Sequence, residues 1–253
     1  MHPIRLISRL DIKGPNVIKG IHLEGLRVVG KPGDLARAYY KDGIDEILYM
    51  DTVASLYGRS SIFGVIEETA RDVFVPITIG GGIRTVDDFK QALRCGADKV
   101  AVNTAAVKRP EFIRETAAAF GSQCVVLSIE AKRHAPGQWE ALCDNGRETT
   151  GKDVLAWVQE AVSLGAGEIV LTSVDMEGTK KGFDMDLITR VRELVEVPVI
   201  ACGGAGKAEH ISAAFLNGNV DAVACASMFH YKLATVSELK SSLHDSGVPV
   251  RLS

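Results

Sequence analysis

VPITIGGGI, at residues 75–83, is the most informative segment for the fold, because the chain nearly repeats it. The same pattern of an apolar strand followed by a glycine cluster returns about half a chain length later as VPVIACGGA, at residues 197–205. Segments 5–13 and 124–132 echo each other at nearly the same offset, and each is an apolar strand that ends in an acid. In a chain of 253 residues, such a period indicates a duplicated half-domain.

Apolar runs alternate with amphipathic helical stretches along the chain. The predicted strands lie at residues 6–11, 46–51, 75–80, 99–103, 124–129, 169–173, 198–202 and 221–226. The predicted helices lie at residues 33–42, 61–73, 86–95, 111–120, 152–165, 186–195 and 207–217. This alternation predicts one α/β domain over residues 1–253, folded as a (β/α)8 TIM barrel that is built from two half-barrels. A doubly wound open sheet is the alternative, but the repeat favours closure because a half-barrel paired with its copy leaves no open edge.

Composition indicates an ordinary globular chain, with 46% hydrophobic and 24% charged residues. The net charge of −3 and the isoelectric point near 6.1 indicate neither nucleic acid nor an anionic membrane as a partner. The five cysteines lack C-x-x-C spacing and the six histidines lack ligand spacing, so we predict reduced thiols, no metal and no cofactor. Without a charged leader or a long apolar run, we expect a cytoplasmic protein.

Glycines and small polar residues follow matching strands in the two halves. Glycine lets backbone N–H groups approach an anion closely, so each half is predicted to form a phosphate site. The alternative is that the glycines only make tight turns, and repetition in both halves favours phosphate binding. The predicted phosphate-binding residues are Gly82, Asn103 and Thr104 in the first half, and Gly178, Gly204, Ala226 and Ser227 in the second.

Two acids end the first and fifth predicted strands, which face each other in an eight-stranded barrel. Asp11 and Glu130 therefore lie between the two predicted phosphate sites, where they are placed to act as general acid and general base. The alternative is that each forms a salt bridge with the lysine two residues on, Lys13 or Lys132. Their matching placement in the two halves favours catalysis.

Charged residues also occur at the amino-terminal ends of predicted strands, where barrel cores are normally apolar. Arg5, Glu46, Lys99 and Glu168 supply two bases and two acids, which suits a closed ring that gates the barrel axis. The alternative is that all of them are solvated residues of the bottom face.

The segment 11–33 is long for a connection between a strand and a helix. We interpret it as an active-site lid that carries Lys19 toward a substrate anion, although a surface lysine is the commoner explanation. Further polar residues at strand ends have predicted binding roles, namely Asp51, Thr172, Ser173 and Asp175.

These residues, in this order, resemble the cyclase subunits of imidazole glycerol phosphate synthase. The resemblance runs over essentially the whole chain, and its motifs are LDIK at 10–13, VIKG at 17–20, GGG at 80–82, GADKV at 96–100, NTAA at 103–106, FGSQ at 120–123, TS at 172–173, GT at 178–179 and GGAGK at 203–207. It implies a duplicated half-barrel that takes ammonia from a partner glutaminase docked at the amino-terminal face. It also implies a ribulosyl imidazole-aminocarboxamide substrate with two phosphates, converted to imidazole glycerol phosphate and AICAR.

The resemblance carries over to both phosphate sites, Lys19 and the gate, but the catalytic layer departs from it. Glu130 and Glu177 replace aspartates, and Arg9 stands where the family usually has a cysteine. The extra methylene of Glu130 moves its carboxylate by roughly an ångström, a misplacement that can cost about a hundredfold in rate. Arg9 shares a strand face with Asp11, so we expect the two to pair and the pKa of Asp11 to fall.

These departures leave other functions open. They resemble paralogues found with sugar amidation in surface polysaccharide synthesis, in which the barrel activates a glutaminase and passes ammonia to a separate amidotransferase. The related isomerase of the histidine pathway ranks last, because the Lys19 segment and FGSQ at 120–123 fit the cyclase better. The leading prediction is an ammonia-dependent cyclase.

Overall fold

The strands of this chain build a closed barrel. The computed structural model describes residues 2–53 and 62–252. Along the chain the strands are β1 (Arg5–Lys13), β2 (Asn16–Ile21), β3 (Glu24–Gly30), β4 (Glu46–Asp51), β5 (Ile77–Gly80), β6 (Lys99–Val102), β7 (Val125–Ala135), β8 (Gln138–Cys143), β9 (Glu148–Asp153), β10 (Glu168–Ser173), β11 (Val199–Cys202) and β12 (Ala222–Cys225). Within the described residues, eight of them form a parallel ring in the order β1-β4-β5-β6-β7-β10-β11-β12, and β12 pairs with β1. The predicted (β/α)8 barrel is confirmed, and the open sheet is wrong.

Strands β1 and β7 face each other across the ring, because the same number of strands separates them in either direction. Asp11 lies near the end of β1, and Glu130 lies in the middle of the longer strand β7. The two predicted catalytic acids therefore stand on opposite walls of the barrel.

Antiparallel hairpins extend the barrel beyond β1 and β7. β2 pairs with the end of β1, where Asp11 lies opposite Ile18, and β3 pairs with β2. β8 pairs with the end of β7, where Glu130 lies opposite Leu142, and β9 pairs with β8. The segment that we interpret as a lid thus folds as a hairpin, and a second hairpin follows the facing strand. Each begins beside one of the predicted catalytic acids.

The helices follow the barrel strands and pack against them. They are α1 (Pro32–Lys41), α2 (Ile62–Thr69), α3 (Val86–Arg94), α4 (Thr104–Lys108), α5 (Glu111–Phe120), α6 (Val154–Ser163), α7 (Met185–Leu194), α8 (Ala208–Leu216), α9 (Ser227–His230) and α10 (Val236–Asp245). Local sequence explains where several begin, as at α3, where Thr85 and Asp88 form a capping box. The sequence reasoning missed α4, α9 and α10, and Ser61, the first residue of the predicted helix 61–73, lies outside the described residues.

Side chains alternate along each barrel strand between two apolar layers. Leu6 and Leu10 of β1 join the large core between the barrel and its helices. Ile7 points inward, where it packs with a smaller cluster that includes Leu48, Val126 and Val170. This inner cluster lines the barrel between the charged amino-terminal end and the polar carboxyl-terminal end.

Truncating the inner cluster is expected to destabilise the whole barrel. Leu48 is 1% exposed, so Leu48→Ala removes buried methyl groups and leaves a cavity that costs about 2–5 kcal/mol of unfolding free energy. Urea denaturation followed by circular dichroism measures the loss. Leu216→Ala is the matched control, because Leu216 is 60% exposed and its truncation is expected to stay within about 0.5 kcal/mol. Equal effects at the two positions would contradict the assignment of Leu48 to a packed core.

Candidate functional site

A cavity of about 580 Å³ lies at the carboxyl ends of β4 to β7. Its wall includes the glycine turn after β5, the predicted pair Asn103 and Thr104, and the predicted acid Glu130. Basic side chains also line it, namely Arg84, Lys108 and Arg109. Acids line the wall as well, namely the buried Asp51 and Glu130 together with Asp144 and Glu148. The basic groups beside the open glycine turn are the features that suit an anionic small molecule.

The first glycine turn has a shape that only glycine permits. Gly81 and Gly82 have φ values of +94° and +75°, in the left-handed region. A Cβ on Gly81 would lie 2.2 Å from the carbonyl oxygen of Asp51. The absence of side chains leaves the backbone open to the cavity, as the prediction of a phosphate site at Gly82 requires. Thr104 is partly engaged, because its hydroxyl accepts a hydrogen bond from the backbone N–H of Asp144.

The second glycine turn has the same backbone shape but almost no free space. Gly203 and Gly204 have φ values of +91° and +108°, and the cavity beside them measures about 10 Å³. The predicted residues Gly178, Ala226 and Ser227 line it, together with Lys19 and Glu177. Lys19 and Glu177 form a buried ion pair there. The sequence predicts two equivalent sites, and the structure differs: the first is open and the second is filled by side chains of the chain itself.

Glu130 is buried against the open cavity. Its exposure is 3%, and its Oε2 accepts hydrogen bonds from Asn103 Nδ2 at 3.1 Å and from the backbone N–H of Gly146 at 2.8 Å. Burial raises the pKa of Glu130 to about 7, because the charged form loses its hydration. Glu130 can therefore hold or release a proton near neutral pH.

The pKa of Asp11 is shifted in the opposite direction from that of Glu130. Burial opposes its ionisation, but the neighbouring Arg9 guanidinium outweighs burial and lowers the pKa of Asp11 below its usual value. Arg9 Nε donates to Asp11 Oδ1 at 2.8 Å, so the pairing expected from their shared strand face is present. Asp11 is thus a fixed carboxylate, and Glu130 is the group that titrates.

Arg9 occupies the interior of the barrel and is 1% exposed. Besides Asp11, its Nη1 donates to Thr172 Oγ1 at 2.9 Å and lies 3.4 Å from Cys202 Sγ. Its Nη2 has no hydrogen-bond partner among the described residues. The Thr172 hydroxyl, which has a predicted substrate-binding role, is therefore engaged by Arg9.

Lys132, two residues after Glu130, is not the ion-pair partner of that acid. Lys132 forms its ion pair with Asp175, which also accepts a hydrogen bond from the backbone N–H of Arg133. Glu130 is instead held by Asn103 and Gly146. The alternative of a Glu130–Lys132 salt bridge is wrong, and the carboxylate of Asp175 is engaged by Lys132 and by the backbone of Arg133.

At the amino-terminal end of the barrel, the predicted gate residues form a ring. Arg5 donates to Glu46 at 2.6 Å and to Glu168 at 2.7 Å. Lys99 donates to Glu46 at 3.1 Å and to Glu168 at 2.7 Å, which closes the ring. The side chains of both glutamates are nearly buried, whereas those of Arg5 and Lys99 keep some exposure. The ring geometry is present, and its role as a gate remains a prediction.

The sequence reasoning missed several groups near the site. Gly146, whose N–H holds Glu130, follows Asn145, and an Asn-Gly pair is a signal for a hairpin turn. Nothing in the sequence around His230 indicates that it lies near the site. Its Nδ1 forms a hydrogen bond with the Tyr39 hydroxyl at 2.7 Å, its Nε2 lies 3.1 Å from the carbonyl oxygen of Arg9, and burial lowers its pKa to about 4. A neutral His230 therefore braces the strand that carries Arg9.

Within residues 2–53 and 62–252, no group of three or more His, Cys, Asp or Glu side chains is arranged to hold a metal ion. None of the described helices is long and apolar enough to cross a membrane.

Comparison with known proteins adds the family context. The model of the family described as "Histidine biosynthesis protein" matches residues 5–235. The chain is similar to the imidazole glycerol phosphate synthase subunit HisF of Legionella pneumophila, with 62% identity over 212 residues that cover 84% of this chain and all of the relative. It is also similar to the HisF subunit of Streptococcus sanguinis strain SK36, with 46% identity over 248 residues and 98% coverage of each chain.

Proposed function

Because the chain belongs to the histidine biosynthesis family and, within it, to the HisF cyclase subunits of imidazole glycerol phosphate synthase, we propose that its barrel uses ammonia to split and cyclise the substrate of that synthase. The substrate is a ribulosyl imidazole-aminocarboxamide with a phosphate at each end. The products are imidazole glycerol phosphate and AICAR. The observation that carries the proposal is the buried Glu130 at the wall of an open cavity that also holds a glycine turn and basic side chains.

The two carboxylates divide the proton transfers by their electrostatic states. A general acid must carry a proton at working pH, and the raised pKa of Glu130, about 7, lets it do so. A general base must be ionised, and Arg9 keeps Asp11 in that form. The same ion pair weakens Asp11 as a proton acceptor, so Glu130 is the stronger participant.

Substrate binding combines the two halves of the barrel. Gly82, Asn103 and Thr104 would hold one phosphate in the open cavity. Gly178, Gly204, Ala226 and Ser227 would hold the other after Lys19 and Glu177 make room. With one phosphate held in each half, the reacting centre would lie between Asp11 and Glu130 on the facing strands.

Ammonia would enter from a glutaminase partner at the amino-terminal face. A cavity of about 760 Å³ at that face is lined by Arg5, Lys99 and Glu168 of the ring, which supports docking beside the gate. Ammonia would then pass along the barrel axis toward Glu130.

Opening the ring is expected to lower turnover with glutamine as the ammonia source more than turnover with added ammonium salt. Lys99→Met removes one cation but leaves Arg5 bonded to both Glu46 and Glu168, so the barrel should stay folded. We expect turnover with glutamine and the glutaminase to fall by about tenfold or more relative to turnover with added ammonium salt. Steady-state rates with each ammonia source measure the ratio. Lys90→Met, an exposed change of the same kind, is the control, and equal ratios in both variants would contradict a gate.

The decisive experiment is a cyclase assay on the purified chain with the ribulosyl substrate and ammonium salt. Formation of AICAR together with imidazole glycerol phosphate is the expected result. No turnover, combined with tight binding and activation of a glutaminase, would instead support the non-cyclising ammonia conduit. Growth of a histidine auxotroph that lacks the cyclase, when this chain is expressed, gives a second readout of the same question.

A further inference from the structure

The second glycine turn already holds an anion of the chain. A Cβ built on Gly203 would lie 3.4 Å from Glu177 Oε2, so the carboxylate rests directly against the turn. Glu177 is 4% exposed. The free space left beside it is about 10 Å³, against about 580 Å³ at the first glycine turn. A phosphate group cannot enter beside the carboxylate and must replace it.

Lys19 holds the carboxylate in this place. Its ammonium forms an ion pair with Glu177, and Lys19 is itself only 3% exposed. Water screens such a pair poorly, so separating the two charges without a substitute partner is costly. An incoming anion must therefore offer Lys19 at least as much as Glu177 does.

The hairpin β2–β3 is fastened to the same loop. The backbone N–H of His22 donates to the carbonyl oxygen of Glu177 at 2.9 Å, and His22 Nδ1 lies 2.9 Å from the carbonyl oxygen of Val174. A Cβ on Gly178 would lie 2.6 Å from the carbonyl oxygen of Gly20, so the two backbones touch. Displacing Glu177 thus affects the contacts that hold the hairpin against this loop.

We propose that Glu177 is a specificity-determining residue of the second phosphate site, where its carboxylate occupies the place of the ligand phosphate and pairs with Lys19 until a phosphate group displaces it. The proposal rests on the proposed function in taking phosphate as the ligand of this turn. A phosphate monoester carries about −1.5 to −2 charges near pH 7, against −1 for the carboxylate, so it competes better for Lys19 than a carboxylate ligand does.

The two phosphate sites consequently have unequal affinities. Phosphate can bind at the first site while the Lys19–Glu177 pair stays intact. Binding at the second site includes the cost of breaking that pair. A ligand with a single phosphate occupies the first site in preference. A ligand with two phosphates gains the second site through its attachment to the first, which discriminates in favour of the doubly phosphorylated substrate.

Inorganic phosphate titrated into the full chain tests this, with backbone amide resonances as site-specific readouts. Gly81 and Gly82 report on the first site, and Gly203 and Gly204 report on the second. In the unmodified chain we expect the second pair to titrate at about tenfold or more higher phosphate than the first. In Glu177→Gln, which removes the charge, the second pair should titrate at about tenfold or more lower phosphate than before, with the first pair unchanged.

Two further variants keep the test sharp. Glu24→Gln removes the same charge from an exposed position of the hairpin and should move neither pair. Glu177→Asp keeps the charge but shortens the side chain by one methylene, so it should give an intermediate shift even if Glu177→Gln disturbs the hairpin.

The proposal is overturned if the two pairs titrate together in the unmodified chain, if Gly203 and Gly204 respond to phosphate in none of the variants, or if Glu24→Gln acts like Glu177→Gln. The titration requires no turnover. An inactive chain with the expected titrations would therefore contradict the cyclase function alone, and an active chain with equal sites would contradict this inference alone.

Discussion

Replacing Glu130 with glutamine is expected to lower kcat for cyclisation by about 10²–10⁴-fold, the usual contribution of a positioned general acid or base. The amide keeps an oxygen that can accept from Asn103 and Gly146, so the side chain should stay in place. It cannot release a proton as the carboxyl group does. Steady-state kinetics with ammonium salt measure the loss, and KM should change far less than kcat.

The pH dependence provides the second readout of Glu130. As a general acid with a pKa near 7, it must be protonated, so the rate at a fixed concentration of un-ionised ammonia should fall as pH rises through about 7. The contribution of Glu130 to the free energy of unfolding depends on pH in the same direction. Because its pKa is raised on folding, the contribution of Glu130 is fully present below its unfolded value and is lost as pH rises through about 7, with a size on the order of 1.4 kcal/mol per pKa unit.

Glu130→Gln should abolish this fall in rate with pH and also the pH-dependent contribution of Glu130 to stability. Glu130→Asp is the matched control, because it keeps the ionisable group and moves it by roughly an ångström. Its rate should lie within about a hundredfold of the unmodified enzyme. If Glu130→Gln kept its rate within tenfold, or if its pH profile matched that of the unmodified enzyme, Glu130 would have no role in proton transfer.

Replacing Asp11 with alanine is expected to lower the free energy of unfolding by about 3–5 kcal/mol, because it leaves a buried guanidinium without its counter-ion. Arg9 is 1% exposed, and its Nη2 already has no hydrogen-bond partner within residues 2–53 and 62–252. Denaturant unfolding with an unchanged m-value measures the loss. The pKa of Asp11 is lowered in the folded protein, so the stability that the pair supplies is present above the unfolded pKa of Asp11 and is lost as pH falls through the lower folded value.

The double variant Arg9→Met with Asp11→Asn separates the ion pair from the cost of an orphaned charge. Apolar or neutral replacements of a whole buried pair are often neutral in stability, so the double variant should recover most of the loss seen in Asp11→Ala. A double variant as unstable as the single one would show that packing, and not the uncompensated charge of Arg9, causes the effect. A loss below about 1 kcal/mol in Asp11→Ala would show that water reaches the pair.

The barrel was predictable because each of its strands is a short apolar run with a clear end. The facing positions of Asp11 and Glu130 followed from strand order alone. The Arg9–Asp11 pair followed from the two-residue period of a strand. These features depend only on neighbours in sequence or on the order of elements.

Features that depend on a meeting of distant segments were not predictable. The partner of Lys132 is Asp175, in the turn after β10, and nothing in the sequence near Lys132 favours Asp175 over Glu130 as its partner. The hairpin β2–β3 contains several glycines, so its sequence resembled an irregular connection. The contact of Glu177 with Lys19 arises only when that hairpin folds back over the barrel.

The hairpins also hold the two halves of the barrel to each other. The hairpin that follows β1 belongs to the first half, yet His22 at its tip bonds to Glu177 in the second half. The hairpin that follows β7 belongs to the second half, yet Asp144 in its turn bonds to Thr104 in the first. Each half therefore contacts a loop of the other through its hairpin, and a half on its own would lack both contacts. Two separate halves could make these contacts only by associating with each other, so the hairpins couple the order of one half to the presence of the other.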